Sequence, residues 1–151
     1  MAPIRQAGVA DIPVLVDLWH AMLVECDLVG SGLVDDWRSR LEKAFAAEIT
    51  RGSAVWWLAE IGQDVAGTCA IFEQRGRSQI FIDRKATLGG MYVRPAFRRR
   101  GIALSLAKHA IAWCRQQRFT LIRLHASRDG RPIYEALGFV TATEMMRLSL
   151  D

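Results

Sequence analysis

The stretch "VRPAFRRRGIALSLAKHAI", from Val93 to Ile111, sets three consecutive arginines directly before a glycine. Apolar residues then recur at helical spacing, which predicts that a helix begins at Gly101. The first turn of a helix has unpaired N–H groups and partial positive charge, and a glycine there lets a ligand approach the backbone. The turn is therefore predicted to bind a diphosphate, with a solvated basic face as the simpler alternative. Its spacing matches neither GxxxxGK[ST] nor GxGxxG.

The elements on both sides of this stretch predict one α/β domain that spans residues 1–151. Asp11 is expected to cap a helix that ends before the "GSG" at 30–32, and a second amphipathic helix follows. The other predicted segments are strands at 4–6, 53–61, 65–73, 86–93, 119–126, 139–140 and 144–148, a polar loop at 74–79, and a short helix after Gly130. The order β-α-α-β-β-β-α-β-α-β-β indicates a mixed sheet with helices on both faces.

Charge is distributed unevenly along the chain. Residues 1–75 carry 6 Lys and Arg against 11 Asp and Glu, whereas residues 76–151 carry 14 against 5. An acidic half joined to a basic half suggests one surface for an anionic ligand and another for a cationic ligand.

Other broad classes of protein are disfavoured by the composition. No apolar run approaches the ~20 residues of a membrane span, and the N-terminus lacks the apolar core of a signal peptide, so a cytoplasmic protein without a membrane partner is expected. Cys26, Cys69 and Cys114 lack pair spacing and are expected to be reduced thiols, mostly in the core. The histidines lack metal-ligand spacing as well, so no metal is expected.

Two segments together resemble the signatures of a known family. The pattern [QR]-x-x-G-x-[GA] reads Arg98-Arg99-Arg100-Gly101-Ile102-Ala103 here, and "LHASRDGRPIYEALGFV" resembles a closing motif in which a tyrosine precedes "LGF". Together with the element order, they make the chain similar over essentially its whole length to the GNAT superfamily, the Gcn5-related N-acetyltransferases. The resemblance implies a single-domain α/β (α+β) GNAT fold, with a mixed, mostly antiparallel sheet of about seven strands flanked by about four helices. It also implies a splayed strand pair that holds coenzyme A, acetyl-CoA as the cofactor, and an acyltransferase reaction, N-acetyl transfer (EC 2.3.1.-).

The resemblance also assigns roles to individual residues. The strand before the signature would pair its backbone with the pantetheine arm, and the amides of the turn would hold the diphosphate. Tyr134 would be the general acid toward the departing thiolate, because a phenol with a pKa of ~10 keeps its proton at neutral pH. The backbone N–H of Val93 would stabilise the oxyanion. The implied coenzyme A ligands are Met91, Tyr92, Val93, Arg98, Arg99, Arg100, Gly101, Ile102, Ala103, Ser127, Arg131 and Tyr134.

Two positions depart from the family pattern. Ser127 stands where many members carry Asn, and Thr87 stands where the histone-acetylating branch carries a glutamate base. Threonine cannot accept a proton at neutral pH, so the motif does not assign a base. The candidates are Glu25, Asp27, Glu73, Asp83 and His125, each of which also has an ordinary structural explanation.

The acidic first half indicates a cationic small-molecule amine as the acceptor, such as a polyamine, an aminoglycoside-like compound or an amino acid. Four tryptophans could cover such a cation, although two of them are expected in the core: Trp19, Trp37, Trp56 and Trp57. A protein or peptide N-terminus as acceptor, and a silent acyl-CoA-binding sensor, are the alternatives. A nucleic-acid-binding module is a remote one, and no nucleic-acid partner is expected. Acyl-chain length and oligomeric state stay open, although many relatives are homodimers.

Overall fold

A computed structural model describes residues 2–74, 80–142 and 144–150. The elements are β1 (Ile4–Gln6), α1 (Ile12–Glu25), α2 (Trp37–Arg51), β2 (Ala54–Ile61), β3 (Asp64–Glu73), β4 (Arg84–Val93), α3 (Ile102–Gln116), β5 (Phe119–Arg123) and α4 (Arg131–Ala136). This order confirms the predicted one from the first strand through α4. The predicted loop at 74–79 falls almost wholly outside the described residues.

The strands form one sheet in the order β1-β2-β3-β4-β5. All neighbours are antiparallel except β4 and β5, which run parallel because α3 crosses between them. The hairpin predicted between the second and third strands is present, with Ile61 paired to Asp64. Gly62 in its turn has a φ of 61°, a left-handed conformation that glycine adopts without strain.

Two apolar clusters cover the two faces of the sheet. Because successive side chains of a strand point to opposite faces, Trp56 and Trp57 belong to different clusters, and both are buried. One cluster joins the sheet to α1 and α2, and includes Leu15 and Phe45. The other joins it to α3 and α4, and includes Leu106, Cys69 and Tyr134. The expectation that two of the four tryptophans lie in the core is confirmed.

The last two strands pair only along the N-terminal part of β4. Pairing between β4 and β5 runs from Arg84 opposite Phe119 to Thr87 opposite Arg123 and then stops. The strand β4 continues for six residues, from Leu88 to Val93, beyond that pairing. β5 itself ends at Arg123, so this edge of β4 is unpaired toward its C-terminal end in the described chain, as the predicted splayed pair requires.

A β-bulge shapes β4 at the opening. Thr68 pairs with Tyr92 and Ala70 with Gly89, so Cys69 lies opposite two residues of β4. One of these is Gly90, whose φ is 60° and whose added Cβ would lie 2.7 Å from the ring of Trp56. Only glycine satisfies both the backbone angle and the space, so the bulge is fixed by this residue.

The sheet contains five strands, which corrects the expected count of about seven. Residues 139–142 and 144–150, where two final strands were predicted, form no strand in the described chain. Most of their large apolar side chains are exposed: Val140 by 87%, Met145 by 75%, Met146 by 96% and Leu148 by 82%. A strand also needs a partner for its backbone, which a short apolar segment cannot supply.

Candidate active site

The basic turn before α3 has the backbone geometry of an anion site. Arg99 and Gly101 have left-handed φ values of 63° and 76°. The first intrahelical bond runs from the Ser105 N–H to the Gly101 carbonyl at 3.0 Å. The amides of Ile102, Ala103 and Leu104 therefore have no acceptor within the helix, and the helix dipole adds partial positive charge to them. Such a turn can bind a diphosphate through peptide N–H groups.

The open edge of β4 presents the peptide group of Val93. The Arg94 N–H donates to the Ala66 carbonyl on β3 at 2.8 Å. Because peptide groups alternate along a strand, the N–H and C=O of Val93 point to the opposite edge, where β5 has separated from β4. A ligand in the splay can therefore accept a hydrogen bond from Val93.

Tyr134 lies in α4 on the same side of the sheet as α3. Its side chain is 9% exposed and packs edge-on against Phe139, with 5.8 Å between ring centroids. Burial raises the pKa of Tyr134 to about 12, so the phenol keeps its proton at neutral pH. Ahead of the helix, the Ser127 hydroxyl accepts a hydrogen bond from the Gly130 N–H at 3.1 Å. Ser127 thus fixes the turn from which α4 begins.

Arg98 joins this edge to the end of α1. Its Nε donates to the Val93 carbonyl at 2.9 Å and its Nη2 to Glu25 Oε2 at 2.7 Å. The guanidinium also lies 5.5 Å from the ring centroid of Tyr92. The hydrogen bond from Arg98 lowers the pKa of Glu25, whereas burial and, next, the charge of Glu25 raise the pKa of Tyr92. Glu25 is therefore held as an anion beside the open edge.

The other arginines of the signature point elsewhere. The Arg100 guanidinium lies 5.7 Å from the ring centroid of Phe97 and donates to the Ala96 carbonyl at 3.4 Å. Arg99 is exposed on the turn itself. Arg131 is the first residue of α4 and bonds Thr141 Oγ1 at 3.0 Å. Among the three arginines of the signature, Arg100 contacts residues of the turn, Arg99 is exposed there, and Arg98 pairs with Glu25.

The five candidate bases do not lie together. Glu73 pairs with Arg84 at 3.0 Å at the N-terminal end of β4, and Asp83 directly precedes that strand. β4 has ten residues and ends at Val93, so its two ends lie roughly 30 Å apart at 3.3 Å per residue. Asp27 is exposed in the turn after α1, and His125 is exposed beyond β5. Among the five candidates, Glu25 is linked to the open edge of β4 by a described contact, its ion pair with Arg98.

The link between Arg98 and Glu25 was missed by sequence reasoning. The two residues are 73 positions apart, and neither local pattern points to the other. The signature placed Arg98 with the diphosphate, and Glu25 was one acidic residue among several. The available signal was weak: an arginine in the basic turn and a carboxylate at the end of the acidic first helix.

Within the described ranges, no three His, Cys, Asp or Glu side chains converge as a metal site would require. Among these residues no helix combines the length and hydrophobicity needed to cross a bilayer. Cys69 and Cys114 are buried free thiols and Cys26 is an exposed one.

The mixed sheet covered by helices on both faces, with one edge of β4 unpaired at its C-terminal end, defines the protein as an α/β protein. Residues 18–139 match the family model described as the Acetyltransferase (GNAT) family. The chain belongs to the GNAT acetyltransferase family. This membership supports acetyl transfer in general and confirms the resemblance drawn from the two motifs. No curated protein is significantly similar to the chain.

Solved structures agree with this membership. A predicted acetyltransferase from Clostridium acetobutylicum, solved with acetyl-CoA, is 26% identical with a TM-score of 0.84, over 99% of this chain and 97% of the other. A GCN5-related N-acetyltransferase from Ralstonia eutropha JMP134 is 22% identical with a TM-score of 0.78, over 100% of both chains. Glucosamine-6-phosphate N-acetyltransferase from Arabidopsis thaliana is 16% identical with a TM-score of 0.73, over 100% of this chain and 99% of the other. At these lower identities the likeness shows the fold alone.

Proposed function

We propose that this protein is an acetyl-CoA-dependent N-acetyltransferase that acts on the primary amine of a cationic small molecule. The observation that carries the proposal is that three features belong to residues of one apolar cluster, on the α3 side of the sheet. These are the turn with free amides before α3, the outward N–H of Val93, and the protonated phenol of Tyr134.

The residues present fit acetyl-CoA. The left-handed backbone at Arg99 and Gly101 leaves the turn open, and a Cβ at Gly101 would have no atom within 4 Å. The diphosphate would be held by the amides from Arg99 to Ala103, with charge from Arg99 and Arg100. The pantetheine amides would pair with the open edge of Met91, Tyr92 and Val93, as an added strand does. Ser127 and Arg131 would close the other wall at the start of α4.

Acetyl-CoA, when bound, supplies a thioester carbonyl that a neutral amine attacks, so that a C–N bond forms and the C–S bond breaks. The Val93 N–H donates to the carbonyl oxygen as negative charge develops there. Tyr134 gives its phenolic proton to the departing sulfur. The nitrogen loses one N–H proton, which restores the phenol through solvent. Coenzyme A then leaves as a thiol, and the protein is unchanged.

A thiol-release assay with acetyl-CoA across a panel of amines tests the function. The panel holds diamines, aminoglycosides, amino acids and peptides with free N-termini, because it must distinguish small-molecule from protein acceptors. We expect turnover with cationic small amines and little with peptides. Turnover with peptides alone would show that the acceptor is a protein or peptide N-terminus and not a small molecule.

Thermal unfolding with acetyl-CoA, ATP or duplex DNA distinguishes a coenzyme-binding protein from a nucleic-acid-binding module. Read together with thiol release, it also distinguishes an enzyme from a silent sensor. Acetyl-CoA should raise Tm, because a ligand that binds only the folded state at 100 times its Kd stabilises by about 2.7 kcal/mol. ATP and duplex DNA at equal concentration should raise it far less. A shift with acetyl-CoA but no thiol release from any amine would favour the sensor, and no shift would remove the proposal.

A further inference from the structure

We propose that Glu25 docks a second positive charge of the acceptor, and that Arg98 is the positioning residue that holds the Glu25 carboxylate beside the reactive edge. The acceptor would thus be a diamine or polyamine. This inference rests on the proposed function and gives it a substrate class.

The geometry of the Arg98 guanidinium brings Glu25 next to Val93. Nε and Nη2 lie on one edge of the planar group, and each makes a hydrogen bond there: Nε to the Val93 carbonyl and Nη2 to Glu25 Oε2. The two acceptor oxygens therefore lie side by side. Val93, whose carbonyl accepts the hydrogen bond from Arg98, is also the residue whose N–H points toward the unpaired edge of β4. A cation on Glu25 is consequently about one short carbon chain from the position of the thioester.

Glu25 can bind a ligand while it holds Arg98. A carboxylate has about four acceptor positions; Arg98 engages one oxygen and the Tyr92 hydroxyl is a second hydrogen-bond partner, so acceptor positions remain for a ligand. The Glu25 side chain is 47% exposed, so an ammonium group can reach it from solvent. Arg98 has the side-chain reach to remain in place, since its second bond to Val93 anchors it independently.

The charges around Glu25 favour docking over proton transfer. The titratable groups set against it are Arg98 from the turn and Tyr92 from β4, and its own chain adds Cys26 and Asp27 just beyond α1. Arg98 lowers the pKa of Glu25, which makes it a weaker base and a more persistent anion. The Glu25 carboxylate then serves as a hydrogen-bond acceptor for an ammonium group rather than as a base, and the amine that attacks is the other nitrogen of the acceptor.

The inference also explains why one arginine of the signature leaves the turn. The Arg100 guanidinium lies over Phe97 within the turn, whereas the Arg98 guanidinium lies over Tyr92 and reaches α1. Arg98 thereby connects the end of α1 to the turn that would receive the diphosphate.

Matched acceptors provide the test. Diaminopropane, diaminobutane and diaminopentane are each compared with the amino alcohol of equal chain length, as acetyl acceptors of the full chain. Only the second positive charge differs within a pair. We expect wild-type kcat/KM to favour the diamine by about 2- to 5-fold, because Glu25 is 47% exposed and solvent screens its interaction with a cation. Glu25→Gln should remove most of this preference through KM for the diamine.

Three further variants separate positioning from structure. Arg98→Gln should also weaken the diamine preference, and the Glu25→Gln/Arg98→Gln double variant should be no worse than Glu25→Gln alone, because Arg98 acts through Glu25. Arg98→Lys keeps the charge without the planar fork and should restore part of the preference. Glu73→Gln breaks the equivalent ion pair at the far end of β4 and should leave the preference unchanged.

The outcomes distinguish this inference from the function on which it rests. A wild-type protein that is inactive on every amine removes the proposed function and this inference with it. An active wild type whose diamine preference is absent, or survives Glu25→Gln in a protein with unchanged Tm, overturns the role of Glu25 alone. Additive effects of Glu25→Gln and Arg98→Gln overturn the role of Arg98.

Discussion

The two ends of β4 are built from the same kinds of contact and differ in what lies beside them. At the N-terminal end, Arg84 donates to Glu73 at 3.0 Å and to the Gln117 carbonyl at 2.7 Å. Its guanidinium also lies 4.1 Å from the ring centroid of Phe119. Here β5 is paired with β4, so every contact of this arginine joins one structural element to another. The cluster at this end has a stabilising role.

At the C-terminal end, Arg98 also bonds a glutamate, a backbone carbonyl and an aromatic face. Within the described residues the edge beside it has no paired strand, because β5 ends at Arg123. The same chemistry therefore faces an opening rather than a covered edge. Contact type alone therefore does not identify a functional arginine. The state of the neighbouring backbone edge, paired or unpaired, does.

Tyr134→Phe should have the largest effect of the changes at the open end. The variant keeps the buried ring but removes the proton that sulfur receives, so kcat should fall by about 100-fold or more. Affinity for acetyl-CoA should change by less than about 3-fold, because the ring contacts persist. Steady-state kinetics and calorimetric binding measure the two quantities. An undiminished kcat would mean that sulfur leaves without this phenol.

Gly101→Leu should weaken acetyl-CoA binding. A leucine at a φ of 76° costs about 1–3 kcal/mol of strain, and the turn would relax by moving its amides away from the diphosphate position. Kd should rise by about 10-fold or more, since 1.4 kcal/mol corresponds to a factor of 10. Calorimetry with acetyl-CoA gives the measurement.

Gly52→Leu is the matched control for the change at Gly101. Gly52 ends α2 with a φ of 69°, and it too has no atom within 4 Å of an added Cβ. It should lose similar stability and keep its affinity for acetyl-CoA. Equal affinities in the two variants would show that the turn at Gly101 does not hold the diphosphate.

The parts of the site that sequence could predict are those whose signals are local. Gly101 and the helix after it follow from an apolar period and a turn residue, and Tyr134 follows from a contiguous motif. For both features, the residues that decide them lie within a few positions of one another. The splayed strands have no such local signal and were implied by the family resemblance, with which the limited pairing between β4 and β5 agrees.

The parts that sequence could not predict depend on distant partners. Glu25 and Arg98 meet because α1 ends over the C-terminal end of β4, a fact that no spacing between them encodes. The two final strands failed for the converse reason: residues around Met146 and Leu148 have a strand-like pattern, but the described chain gives their backbone no strand to pair with. Which edges meet is a property of the whole fold.

The smallest expected effect belongs to the closed end of β4. Arg84→Gln removes an ion pair, a bond to a carbonyl and a ring contact. Because the Arg84 side chain is 40% exposed, solvent screening limits the loss to about 1 kcal/mol. Tm should fall by about 3 °C, while the kinetics with acetyl-CoA and any diamine stay unchanged. If Arg84→Gln altered the diamine preference as Arg98→Gln does, the two ends of β4 would not be functionally distinct, and the open edge would lose its special role.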